Sequence, residues 1–212
     1  MAQNRKLLII LFVFGILYSS ISLVNHYLFR TYALDLGLYT NAIYDYAHFH
    51  VNDSAVFMDH PQNLMADHFD VFLFIIAPLY YLFGTYTLLI VQILFILAGG
   101  LGIFFYLKEK GRSDSISFLG MLTFLVHFSI FTSLAFDFHT NVIAAAGLVP
   151  WLLLFMERKN ILKAFITLLL ILITKENMAL WMFFVCAAFF LMNKKQKFPL
   201  VFAFFSLTYF LV

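Results

Sequence analysis

VFLFIIAPLYYLFG, residues 71–84, is apolar up to its closing glycine, and the way it lies sets the topology of everything after it. The chain around it is 64% hydrophobic and 11% charged, against roughly 45–50% and about 25% in soluble domains. A membrane-spanning helix needs about 20 mostly apolar residues. Candidate spans fall at 7–24, 85–107, 115–135, 142–156, 161–174, 178–192 and 198–212. The expected fold is all-α, a polytopic transmembrane helical bundle forming one domain over 1–212. Four basic clusters lie between the spans: Arg5/Lys6, Lys108/Lys110/Arg112, Arg158/Lys159/Lys163 and Lys194/Lys195/Lys197. Only Arg30 and Lys175 fall outside them, and the positive-inside rule places all four clusters in the cytoplasm. If 71–83 crossed the membrane, every later loop would change sides. It is therefore expected not to span, but to lie along the interface or re-enter.

Residues 25–70 then form an outer loop. Within it Leu36, Tyr39, Ile43 and Ala47 recur at helical spacing, with Asn41, Asp45 and His48 on another face, which predicts an interfacial helix over 35–49. Asn52–Asp53–Ser54 marks a turn and His60–Pro61 a break. The first apolar run is longer than a signal-peptide core and lacks a small-residue cleavage site, so it reads as an uncleaved span. The last run, 198–212, reaches only about 22 Å at 1.5 Å per residue. The chain is accordingly expected to be the N-terminal part of a longer protein. The single cysteine, Cys186, excludes an intrachain disulfide.

Six of the seven histidines and most of the acids fall on the outer face. They gather in four short islands: LDLGLY (34–39), ADHF (66–69), FDFH (136–139) and KEN (175–177). An ionisable group at the membrane boundary is costly unless it is paired or faces water, and so suggests function. Asp35 either caps the interfacial helix or serves as a general base at the water–lipid boundary. Asp67, His68, Asp137 and His139 supply oxygen and imidazole ligands suited to a divalent cation such as Mg or Mn, or else simple Asp–His hydrogen bonds. Lys175, following an apolar strip, can hold a phosphate, pair with Glu176 or anchor at the interface, and Arg30 has the same choice of phosphate or anchor. His127, inside the third span, reads as a buried polar contact between helices. Gly99, Gly100 and Gly102 read as sites of close helix packing. No nucleotide loop is present, and the basic clusters are topological, which argues against nucleic-acid binding.

The stretches LDLGLYTNAIY (34–44), MADHFDVFLFIIAPLYYLF (65–83), FDFHTNVIAAAGLVPWLLLFMER (136–158) and TKENMALWM (174–182) resemble, in this order, the predicted prokaryotic membrane proteins of domain of unknown function 2079. That family is grouped with the GT-C superfamily of integral-membrane glycosyltransferases. The resemblance implies a GT-C-like bundle in the prokaryotic cytoplasmic membrane, with interfacial helices in its first outer loop. It also implies an acid in that loop at the catalytic centre, which Asp35 matches by position. The donor implied is a sugar on a polyprenyl phosphate, and the acceptor is undefined. The family more often reads Lys–Glu–Asp where this chain has Asn177, so Glu176 and Asn177 take supporting places beside Lys175. Two other readings stand beside this one: a transporter or ion-handling membrane protein, and a catalytically inactive remnant.

Overall fold

The computed structural model describes residues 2–54 and 61–211. Among these the chain is helical without a strand, apart from an isolated antiparallel bridge between Ser54 and Gln62. His60 of the expected His60–Pro61 break, Met1 and Val212 lie outside the described residues. Among the described residues four helical stretches are long and apolar enough to cross a membrane: Gln3–Tyr27, Phe72–Glu109, Asp114–Ala135 and Thr140–Glu157. Three shorter apolar helices follow, so each expected span coincides for most of its length with helix among the described residues.

The chain opens with α1 (Ala2–Tyr27), whose Leu8 and Phe12 are 67% and 70% exposed, as lipid-facing side chains would be. A wide turn, Ala33–Gly37, leads into α2 (Leu38–Ala47). The apolar positions Leu36, Tyr39, Ile43 and Ala47 are all buried, so the face expected from their spacing is the packed one. The polar face is clipped from outside by Asn52, which donates to Asn41 Oδ1 and Asp45 Oδ2 and accepts from the Leu64 amide, each at 2.9 Å. After the short α3 (Leu64–Asp67) come α4 (Phe72–Ile76), a 3-10 turn at Pro78, α5 (Tyr80–Phe83), a second 3-10 turn Gly84–Tyr86 and α6 (Thr87–Glu109).

The 38-residue stretch Phe72–Glu109 is not one straight rod. On a straight helix Phe72 and Phe95 would stand roughly 34 Å apart at 1.5 Å per residue. Their ring centroids are 5.7 Å apart. The chain doubles back at Gly84, whose φ of +53° and ψ of −135° are open to glycine and costly for other residues. α4 and α5 thereby run back along the first turns of α6, with α2 packed against them.

α6 is the central helix, contacting α1, α7 (Asp114–Leu125) and α10 (Val149–Glu157). α8 (Phe128–Ala135), the short α9 (Thr140–Val142) and a wide-turn segment Ile143–Leu148 lie between α7 and α10. A Cβ on Gly99 would run into the Ala146 carbonyl, and one on Gly102 would sit 2.9 Å from Pro150 Cβ. α6 therefore approaches the segment leading into α10 backbone to backbone, through the glycines expected to allow it. α11 (Ile161–Leu172), α12 (Met178–Met192) and α13 (Phe198–Leu211) complete the bundle. One apolar cluster joins α2, α4, α6 and α10–α13, and a second joins α1, α6, α7 and α8.

The single helix expected over 115–135 is divided. His127 is exposed and caps α8, its Nδ1 accepting from the Ser129 amide at 3.3 Å. It is not the buried interhelical contact expected, because a helix break leaves amides to satisfy and a local side-chain acceptor does so.

The two ends of the bundle differ in charge. At the basic end Lys108 meets Asp114 at 2.6 Å, and Lys110–Glu157 and Arg158–Glu109 close at 2.7 Å. At the other end stand the four islands.

Candidate functional site

Three structural devices bring the islands together. Gln92, on α6 and fully buried, donates to the Asp137 carbonyl at 2.8 Å and accepts from the His139 amide at 2.9 Å. One carboxamide thus satisfies two backbone polar groups, a carbonyl and an amide, of the loop that leads into α9. Asp70, also fully buried, accepts from the Tyr39 hydroxyl at 2.6 Å and the Thr140 hydroxyl at 2.8 Å. It pins α2 and α9 to the start of α4. The Phe72 amide donates to the Ile173 carbonyl at 2.9 Å, drawing in the end of α11 and with it Lys175.

Asp35 lies inside the wide turn that opens the α2 segment, half-buried, and the start of that segment carries no side-chain cap bond. It is not a cap. It is close enough to Asp137 and His139 to act electrostatically on both. Asp137 is 2% exposed, has a φ of +87° and accepts from the Tyr32 amide at 2.7 Å. A positive φ is uncommon for a non-glycine residue, and Asp is among those that tolerate it. It means the D-x-H stretch is not extended at Asp137. His139 is half-buried, stacks on Phe136 with centroids 5.4 Å apart, and feels both Asp35 and Lys175.

Asp67 and Glu176 flank His68, at 3.5 and 3.6 Å from its ring nitrogens, and Glu176 also accepts from the Phe69 amide at 3.3 Å. Glu176 therefore serves His68, and no ion pair joins it to Lys175 among the described residues. Lys175 is half-buried and acts on Asp70 and His139. Asn177 stands exposed at the start of α12 without a side-chain cap bond. Arg30 stands apart, exposed beyond the end of α1 and without an ion pair among the described residues. His26, Tyr32, Thr40, Asn41, Tyr44 and Tyr80 help line a neighbouring cavity of about 480 Å³.

Burial sets the electrostatics. It pushes the Asp70 carboxyl above its ordinary range, against the opposing hydrogen bonds from Tyr39 and Thr140. Burial also raises Asp137, with the Tyr32 amide opposing and the Asp35 carboxylate adding to the rise. His139 is lowered, first by burial, with Asp35 opposing and Lys175 assisting, which favours the neutral imidazole. The Tyr39 hydroxyl is raised, by burial and then by the Asp70 carboxylate.

Asp67, His68, Asp137 and His139 do not form a metal-holding set as placed. Among the described residues no three His, Cys, Asp or Glu side chains come together in that way. Asp137 turns to the Tyr32 amide and Asp67 to His68, so the donors face separate partners.

Asp70, Gln92 and Thr140 were not singled out in the sequence. Asp70 carried a local signal, an acid between Phe69 and Val71 at the head of a long apolar run, where a carboxylate is expensive without partners. Gln92 carried a weaker one, a carboxamide within an apolar helix.

Comparison with known proteins gives one match. The family model for DUF2079, described as a predicted membrane protein, matches residues 25–212. No curated protein and no solved structure matches the chain.

Proposed function

The chain belongs to the DUF2079 family of predicted membrane proteins, and from that premise we propose that it is a GT-C-type integral-membrane glycosyltransferase. The reading has the protein move a sugar from a polyprenyl-phosphate donor to an acceptor at the acidic end of the bundle. The basic end then faces the cytoplasm of a prokaryotic cell, as the positive-inside rule requires. The doubled-back α4–α5 segment is a re-entrant element that does not cross, in keeping with the fold at Gly84.

The observation that carries this reading is the grouping of Asp35, His139 and Lys175. His139 feels both other side chains, so a potential base and a cation both lie within electrostatic reach of one imidazole. In the reaction an acceptor hydroxyl attacks the anomeric carbon while the Asp35 carboxylate takes its proton. A bond forms between the acceptor oxygen and that carbon. The bond from the carbon to the phosphate oxygen breaks, and polyprenyl phosphate departs with the electron pair. Lys175 offers its ammonium to the charge that develops on the phosphate. A neutral His139 can hydrogen-bond the sugar without competing for the phosphate. The neighbouring cavity, with tyrosine rings, threonine hydroxyls and the Asn41 amide in its wall, suits a sugar ring. Arg30 is free to reach a phosphate at the interface. Glu176 acts on His68 rather than on Lys175. The reading assigns no step to a metal ion.

The test offers labelled polyprenyl-phosphate sugars to membranes containing the full-length protein or its Asp35→Asn variant. Label moving to an acceptor with the wild type alone supports the reading. Equal transfer by both removes Asp35 from the chemistry. Uptake of unmodified solute into proteoliposomes, with no transfer, replaces the reading with transport.

A further inference from the structure

The basic end holds a second feature that the glycosyltransferase reading does not use. A cavity of about 380 Å³ opens between the turn joining α10 to α11 and the turn joining α12 to α13. Its wall contains Lys159, Lys195 and Lys197, the side-chain amides of Asn193 and Gln196, and the apolar Ile161 and Phe198, with no carboxylate.

A basic cluster at this end is expected from topology alone, but its convergence on one hollow is not. The three acids of this end, Glu109, Asp114 and Glu157, are engaged by Arg158, Lys108 and Lys110. Among the described residues Lys159, Lys195 and Lys197 make no ion pair. Three exposed lysines line one hollow with no acid among its lining residues, and an anion between them is attracted by all three. The hollow also lies at the starts of α11 and α13, whose first residues Ile161 and Phe198 are in its wall. Helix N-termini carry partial positive charge that favours phosphate. In α13 Pro199 has no N–H and the Leu200 amide donates to the Lys197 carbonyl, and in α11 Asn160 caps the Lys163 amide. It is this charge and not a row of free amides that counts here.

We infer that this cavity binds the phosphate headgroup of an anionic membrane lipid. A lipid rather than a soluble phosphate fits because Ile161 and Phe198 make part of the wall apolar, and Ile161 and Leu162 are 53% and 69% exposed at its side. The phosphate sits among the lysines and the glycerol and acyl chains lie along the first turn of α11. Basic pockets between membrane helices recognise headgroups in this way.

The experiment uses full-length protein in neutral detergent, with retained lipid read by native mass spectrometry. Phosphatidylglycerol and phosphatidylcholine of matched chains are titrated in. Saturable retention of phosphatidylglycerol over phosphatidylcholine is expected, weakened roughly a hundredfold in K159Q/K195Q/K197Q. The charge-matched control K6Q/R112Q/K194Q, at the same end but outside the cavity, should stay within about threefold of the wild type. Equal weakening in both triple variants, or equal retention of the two lipids, overturns the site. Displacement of the lipid by millimolar glycerol phosphate overturns the assignment to a lipid and makes a soluble phosphate the ligand. Should the triple variant not remain folded by size-exclusion chromatography, K195Q and K197Q singly must each lose several-fold, and no loss in either overturns the proposal.

Discussion

At the basic end of the bundle Glu109, Asp114 and Glu157 each lie 2.6 to 2.7 Å from a lysine or arginine, whereas at the opposite end Asp70 and Asp137 are buried against two hydroxyls and a peptide N–H. The first arrangement joins opposite charges in partly exposed positions, where water and salt weaken each contact. The second holds carboxyls in a desolvated place with neutral donors. Its cation Lys175 is left without an ion pair among the described residues, so it remains available to a ligand. Acids that are each matched by a neighbouring cation serve the packing and topology of the bundle. An end that leaves charge uncompensated beside buried polar groups is built to receive something, and the uncompensated lysines of the α10–α13 hollow make the same point locally.

The sharpest way to break this contrast is to remove one carboxylate from each end and compare sugar transfer. Asp35→Asn is expected to lower transfer by about 10²- to 10⁴-fold, the usual contribution of a general base. Glu157→Gln should leave it unchanged. Insertion, followed by protease protection of the loops, should be the same for both. A matching loss in Glu157→Gln would show that activity follows bundle integrity and not the acidic end.

Stability should separate the ends next. Asp70→Ala leaves the Tyr39 and Thr140 hydroxyls buried without an acceptor, which costs about 2–6 kcal/mol at the usual 1–3 for each orphaned group. Asp70→Asn retains an acceptor oxygen and removes the buried charge, so it should cost far less. Unfolding titrations in mixed micelles decide between them. Equal losses would mean that the charge itself, not the hydrogen bonds, holds α2 to α9.

A smaller effect is the pH dependence, whose sign differs within the acidic end. Burial raises Asp70 and Asp137 above the ordinary 3.8, so just above that pH the native state binds more protons than the unfolded one. Their contribution is therefore fully present below 3.8 and is lost as pH rises through the raised values. His139 is lowered from 6.5, so its contribution is lost as pH falls below that value. Asp70→Asn with Asp137→Asn should flatten the first trend, and His139→Gln the second. If neither variant alters the profile between pH 4 and 7, these groups titrate in the folded protein as they do in the open chain.

How much of this was legible depended on how local the cause was. The buried face of α2 could be read because Leu36, Tyr39, Ile43 and Ala47 repeat at the helical period. The glycines of α6 could be read because small residues in an apolar helix have few uses. The turn that follows 71–83 was marked locally, because Gly84, where the chain doubles back, closes that apolar run. Asp70 escaped because its partners lie 31 and 70 residues away, and nothing in local spacing records a tertiary hydrogen bond. The reading of His127 failed because a continuous apolar window hides a helix break, which only the capping bond to Ser129 reveals. The four islands could be placed on one face from topology, whereas the Gln92 clamp that orders one of them is a contact across 45 and 47 residues.

The smallest expected effect lies at the basic end and asks whether its ion pairs are as replaceable as their exposure implies. Lys110 and Glu157 are 33% and 17% exposed and meet at 2.7 Å. A hydrogen bond to Glu157 raises Lys110 above its ordinary 10.5, so the pair's contribution is present below that pH and is lost as pH rises beyond it. At neutral pH Lys110→Gln should cost less than about 1 kcal/mol. In 1 M salt, where the screening length falls to about 3 Å, the difference from wild type should shrink toward zero. The cost of Asp70→Ala should persist in the same salt, because hydroxyls orphaned in a buried site are not rescued by mobile ions. A salt-insensitive loss in Lys110→Gln would place that pair in a desolvated setting like that of Asp70, and the contrast between the two ends would then be one of partner type alone.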